Sequence, residues 1–260
     1  NPKRDGTTLA QLVREHGVRN GFPVAAQDEH LIAALPGILR TPLGPKLGNA
    51  CLADIPDAHR LDELGFDLAI GPGEAWENHR PIRGEELAKH LGLARTNTSL
   101  PAEYFEQVRT MGFRSLAGYL IGFIDLVFCL PVEGRRQWFV ADYKTNTLGE
   151  RKPGGGPILR SGPEHYDQAH MAKEIAKKHY YIQYLLYLTA LHRYLRLRLR
   201  DYDYERDVGG AVYLFVRGML GEAALRDAAG QVNGVFVDKP PFAVINGLSD
   251  LIARNEEMPV

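Results

Sequence analysis

Two apolar runs, Leu120–Phe128 and Gln137–Lys144, each carry an aspartate in their interior, and nothing else in the chain constrains its fold as strongly. Both are rich in β-branched and aromatic residues, with Glu133-Gly134 between them as a turn signal, so they read as a β-hairpin. An ionised carboxylate is not buried without a cation, a donor or a proton. Asp125 lies eight residues before Glu133, and Asp142 eight after Gly134. A two-residue turn therefore sets the two aspartates opposite each other on one face, with Cβ atoms about 4.5 to 5.5 Å apart. Pro131, which has no amide to give to a ladder, is expected to disturb the pairing beside the turn.

Two like charges so close in apolar surroundings do not both stay ionised without compensation. A divalent cation supplies it. Hard oxygen ligands favour Mg²⁺, with Mn²⁺ or Ca²⁺ as substitutes, and one or two carboxylates with waters and a phosphate is a common Mg²⁺ arrangement. Strand periodicity puts Lys144 beside Asp142 on the same face, where an ammonium can orient a water or offset negative charge developing on phosphorus. An isolated D-x-K is common by chance, and an aspartate in a strand is often only salt-bridged. The second aspartate in matching register is what favours a site.

Leu9 to Leu39 reads as two short helices, Leu61 to Ile70 as a strand and Gly84 to Leu93 as a helix. Lys152 to Pro157 reads as a flexible loop, and Glu164 to Arg200 as a helical region broken near His179. Val208 to Val216 is a further buried strand and Pro241 to Arg254 a closing helix. This order predicts an α/β fold with a central mixed β-sheet flanked by helices and covered on both faces. Residues 1–100 form its helical and strand part and 101–260 the core with its C-terminal helix, in one compact domain.

Cys51 and Cys129, far apart and without a CxxC, build neither a disulfide framework nor a zinc ribbon, which points to a reducing, cytoplasmic setting. No apolar run reaches the roughly 18 residues a membrane span needs. There is no HExxH, and Gly154-Gly155-Gly156 lacks the Lys-Ser/Thr of a phosphate loop. The net charge of -1 conceals an uneven distribution, since residues 144–200 hold 11 basic and 4 acidic side chains. Such a stretch is the footprint of phosphate-backbone binding, although Arg193, Arg196, Arg198 and Arg200 also suit a helix C-terminus.

Gly122-Phe123-Ile124-Asp125-Leu126-Val127, followed by Asp142-Tyr143-Lys144-Thr145-Asn146, resembles the signature of PD-(D/E)XK nucleases as it appears in the RecB family. Gln183-Tyr184-Leu185-Leu186-Tyr187 is similar to that family's Q-x-x-x-Y helix motif, and residues 190–195, 201–205 and 209–215 extend the likeness. It is strong from about Gly118 to Gly218 and weaker over most of the rest. The resemblance implies a restriction-endonuclease-like core and a Mg²⁺-dependent deoxyribonuclease of the exodeoxyribonuclease V type. Such an enzyme hydrolyses single- and double-stranded DNA in double-strand break repair and recombination, with RecC- and RecD-like subunits and a helicase motor as partners and no membrane.

On this resemblance Asp125 and Asp142 bind the metal, the Tyr143 carbonyl adds a ligand and Lys144 is the catalytic lysine. Gln183 and Tyr187 contact DNA or order the site, and Glu63 is a further acidic site residue. A second reading of Gln183 and Tyr187 stands beside this one: four apart on one helix face, they pack and hydrogen-bond against the sheet. The family also carries a metal-binding histidine on a helix before the first strand. Neither His16 nor His30 fits that motif, so the expectation is that the chain begins just after that helix and that its metal site is weaker. The alternative is therefore a catalytically weakened nuclease-like module that binds DNA or a partner protein.

Overall fold

The computed structural model describes residues 8–19, 21, 27–69, 84–92, 102–110, 119–152 and 156–253. Both hairpin strands form in the expected register. β2 (Tyr119–Val132) and β3 (Arg135–Lys144) run antiparallel, with Val132 opposite Arg135 and Leu126 opposite Ala141. Glu133 and Gly134 have φ angles of 49° and 78°, the two successive left-handed residues of a turn whose twist matches its strands.

The disturbance expected at Pro131 is absent, because Pro131 pairs with Arg136. In a two-residue hairpin the closing pair, Val132 and Arg135, exchanges hydrogen bonds and the next pair does not. The proline nitrogen therefore faces the β1 side, where pairing with β2 reaches only to Phe128.

β1 (Arg60–Ala69) completes the other side of β2, and the sheet runs β1-β2-β3-β6-β7. β6 (Val208–Phe215) lies parallel to β3, while β7 (Val235–Asp238), a short strand that local patterning does not announce, is antiparallel to β6. One face is covered by α5 (Gln168–Lys177), α6 (Tyr180–Arg198) and α8 (Phe242–Ala253), with α3 (Gly84–Gly92) and α4 (Ala102–Thr110) adding Leu87, Leu91, Tyr104 and Val108. α4 was not anticipated from the sequence. The opposite face packs Leu126, Phe128, Phe139 and Val212 beneath Leu47 and Leu52 from short 3-10 turns, beneath Leu43 and Ile55 flanking them, and beneath Met219 and Val232.

The two N-terminal helices form as expected, α1 over Leu9–Arg19 and α2 over Gln27–Arg40. The expected helical break falls at His179, whose φ of 55° separates α5 from α6. α6 is buried on nearly every side through Tyr181, Tyr184, Leu188 and Leu191, which marks it as an interior helix. The loop expected after Lys144 carries a two-stranded ribbon, β4 (Glu150–Arg151) with β5 (Ile158–Arg160). Pro153 to Gly155, the middle of the expected flexible stretch, lie outside the described residues. One further short helix, α7 (Tyr204–Asp207), precedes β6.

β2 changes faces at Asp125. Ile124 packs into the helix-side core with Val127, whereas Leu126 and Phe128 pack into the opposite one. Residues three apart share a face only where the alternation slips. Across from it, β1 passes from Asp62 opposite Leu126 to Leu64 opposite Ile124, and Glu63 between them holds a φ of 53°. A left-handed non-glycine residue costs about 1 kcal/mol, so surrounding packing must hold it there.

Gly210 shows how tightly β6 meets β7. Its φ is 127°, and a Cβ there would fall 2.4 Å from the Asp238 carbonyl oxygen. Gly210→Ala is expected to cost about 3 kcal/mol, measured by urea denaturation, since it adds backbone strain to a clash that no side chain can relieve.

Candidate active site

Parallel pairing of β3 with β6 sets Asp142 beside Tyr213 and Lys144 beside Phe215, while α6 crosses the same face. The β2–β3 ladder stops at Leu126 and Ala141, one position short of the two aspartates. Asp125 replaces the missing ladder bond: its Oδ2 accepts from the Tyr143 amide at 3.0 Å. The carboxylate is thereby fixed against the backbone of the strand that carries Asp142 and Lys144.

Asp142 is 3% exposed and Lys144 8%, so both are charged groups taken out of water. They pair, with Lys144 Nζ 2.6 Å from Asp142 Oδ2. Burial pushes the Asp142 carboxyl above the ordinary carboxylate range; Lys144 opposes the shift and Asp125 adds to it. The raised pKa is chiefly the mark of a carboxylate taken out of water, with the neighbouring Asp125 charge as a smaller contribution.

Gln183 closes the network. Its Oε1 accepts from Lys144 Nζ and from the Tyr213 hydroxyl, each at 2.9 Å, and its Nε2 donates to the Tyr187 hydroxyl at 2.8 Å. Tyr187 in turn donates to Asp142, and burial with the nearby Asp142 charge pushes the phenol up to about 12. Since the amide oxygen receives two donors, its orientation is determined and the Tyr187 proton has only Asp142 to serve. The ring of Tyr180 lies 3.9 Å from Lys144 Nζ, and that of Tyr213 5.0 Å away, a cation–π socket for the ammonium.

The structure thus brings Asp125, Asp142, Lys144, Gln183 and Tyr187 together. Tyr143 contributes its amide to Asp125, and its side chain is 43% exposed. Glu63 sits opposite Asp125 across the slip, with its side chain exposed. His16 and His30 are exposed on α1 and α2. Among the described residues no three His, Cys, Asp and Glu side chains gather into a group able to hold a metal ion. Tyr180, Tyr213 and Asn146 were not singled out from the sequence, although Asn146 ends the Asp142–Asn146 motif and Tyr213 falls within the 209–215 stretch.

Gln183→Leu would remove the acceptor that Lys144 and Tyr213 share and the donor to Tyr187, leaving Lys144 with Asp142 and Tyr213 with the Tyr180 carbonyl at 3.2 Å. It is expected to cost about 2 kcal/mol of stability, read by chemical denaturation at pH 7.

A five-stranded mixed sheet flanked by helices, with an Asp…Asp-x-Lys set where its second and third strands part, defines an α/β chain of the restriction-endonuclease-like type. No family model matches the chain. It is similar to the RecBCD enzyme subunit RecB of Mycobacterium tuberculosis strain H37Rv, 37% identical over 220 residues, 82% of this chain and 18% of that protein. With RecB of Mycolicibacterium smegmatis it shares 34% identity over 239 residues, 89% of this chain and 20% of the relative. With RecB of Escherichia coli K12 the figures are 38% over 141 residues, 54% and 10%. The chain is a relative of RecB, and it spans a fifth or less of the length of these subunits. No helix among its described residues is long and apolar enough to cross a membrane.

Proposed function

We propose that the chain is a Mg²⁺-dependent DNA nuclease domain of the RecB type, hydrolysing backbone phosphodiesters of single- and double-stranded DNA in double-strand break repair and recombination. The observation that carries this reading is the buried network holding Lys144 Nζ 2.6 Å from Asp142, beside a second carboxylate fixed to the same strand. The donor set suits a hard divalent cation: two carboxylates, one of them raised in pKa by burial and by its acidic neighbour. Asp125, Asp142 and the Tyr143 carbonyl would hold Mg²⁺, with Mn²⁺ or Ca²⁺ as substitutes. When bound, the ion supplies Lewis acidity toward a phosphoryl oxygen and lowers the pKa of a coordinated water.

The protein's own residues do the rest. Lys144 has three donors, of which Asp142 and Gln183 engage two. The third is left to orient a water or to meet negative charge developing on phosphorus. Gln183 and the Tyr180 ring keep the ammonium in place, so little reorganisation accompanies the chemistry. Sequence motifs for a base-reading helix or zinc finger are lacking, which favours backbone binding without sequence preference. Association with RecC- and RecD-like subunits and a helicase motor belongs to the same proposal, supported by the relatives' names as RecBCD subunits.

The second reading, a nuclease-like module that binds DNA or a partner without cutting, draws on the lack of a third metal-ligating side chain near the two aspartates among the described residues. Titration calorimetry with Mg²⁺ and Ca²⁺, alongside cleavage of end-labelled linear DNA, separates the two. A metal site lost in Asp125→Ala and Asp142→Ala, with cleavage that a chelator stops, supports the nuclease. DNA binding without metal uptake or cleavage supports the silent module.

A further inference from the structure

A second cleft opens beside the site, between the loop leaving β3 and helix α5. It has a volume of about 320 Å³ and is lined by Leu148, Arg151, His170, Lys173, Glu174 and Lys177. Lys173 and Lys177 are exposed and stand one helical turn apart, on the face that also carries His170. Neither lysine is in an ion pair among the described residues. Arg151 is exposed as well, its guanidinium donating to the Gly156 carbonyl at 3.4 Å.

The neighbouring acids are turned to other tasks. Glu174 accepts from Asn146 Nδ2 at 3.0 Å, and Asp167 caps α5 through the His170 amide while pairing with the His170 ring at 2.8 Å. Arg217, on the short turn after β6, brings a further cation to the loop by donating from Nε to the Thr145 carbonyl at 2.9 Å. A chain of contacts links the cleft to the site: Glu174 holds Asn146, the Tyr180 hydroxyl donates to Asn146 Oδ1 at 3.3 Å, and the same ring faces Lys144. Exposed cations one turn apart and in no ion pair among the described residues, outnumbering the one acid of the lining, suit a polyanion laid along the helix better than a single small anion.

We infer that this cleft holds the phosphate backbone of the DNA strand flanking the phosphodiester at Lys144, with Lys173 and Lys177 meeting neighbouring phosphates; this rests on the nuclease reading. The test uses the full chain and fluorescein-labelled linear DNA, single- and double-stranded, in chelator so that nothing is cut. Anisotropy is followed across a KCl series for the wild type, Lys173→Ala/Lys177→Ala and Lys173→Arg/Lys177→Arg. Two lost phosphate contacts should flatten the slope of log K against log salt by about 1.4 to 1.8, with the arginine pair restoring it. In Mg²⁺ the alanine pair should raise KM about tenfold and leave kcat within about twofold, since neither lysine touches the reacting atoms. Thermal melts should match, both side chains being exposed.

An unchanged slope, or a wild type that shows no salt-dependent DNA binding, overturns the inference. The two readings fail separately: cleavage with an unchanged slope rejects the cleft and keeps the nuclease, whereas a flattened slope without any cleavage rejects the nuclease and keeps the cleft.

Discussion

Alanine in place of Asp142 is expected to slow DNA cleavage by at least about 10³-fold, equivalent to roughly 4 kcal/mol of transition-state stabilisation. Among the described residues Asp142 is the acid that pairs with Lys144 and accepts from Tyr187, and it lies within reach of the Asp125 charge. Its removal takes away half of the carboxylate pair and the group that aligns the ammonium. The fold should survive at a cost in stability, because Lys144 stays buried without its anion but keeps Gln183 Oε1 and the Tyr180 ring. Asp142→Asn refines the test. It preserves shape and an acceptor for Tyr187 but not charge, so an equal loss of cleavage assigns the effect to the charge. Single-turnover rates at saturating DNA are the appropriate readout, since they separate chemistry from binding.

Lys144→Ala is expected to reduce kcat by about 10² to 10⁴-fold, the range of a positioned acid–base or charge-stabilising group. Two further readouts distinguish a catalytic role from a structural one. The metal-free variant should lose up to about 3 to 5 kcal/mol of stability, because Asp142 stays buried without its ion partner. Mg²⁺ should recover much of that loss and bind at least as tightly as in the wild type, the ammonium no longer competing for the carboxylate. Lys144→Arg should not rescue turnover. A planar guanidinium does not fit a socket made of the Tyr180 ring, the Gln183 oxygen and Asp142, which suits a compact ammonium.

The hairpin register was legible because it depends on local chemistry: a two-residue turn of Glu133-Gly134, flanked by apolar alternation, fixes which residues face each other. Lys144 beside Asp142 followed from the same two-residue period. Gln183 and Tyr187 were reached through motif resemblance, and in the structure they hydrogen-bond onto Lys144 and Asp142 at the sheet. What stayed hidden depends on contacts distant in sequence. Tyr213 looks like one more apolar strand residue until parallel pairing with β3 sets it beside Asp142. Tyr180 becomes part of the site only because His179 breaks the helix and aims the first turn of α6 at Lys144. β7 is four residues long, too brief for a periodic signal, and the slip at Asp125 needs the left-handed Glu63 of another strand. Pro131 leaves the ladder intact, because whether an amide is needed depends on which side of the strand has a neighbour.

The central claim is that Asp125, Asp142 and Lys144 form a metal-dependent phosphodiesterase site. Its most direct test is the cleavage of linear single- and double-stranded DNA by the purified chain in Mg²⁺, run beside Asp142→Ala and Lys144→Ala. The account predicts products from the wild type that disappear with chelator and fall by at least about 10²-fold in both variants. Cleavage that persists undiminished in Asp142→Ala and Lys144→Ala would contradict it.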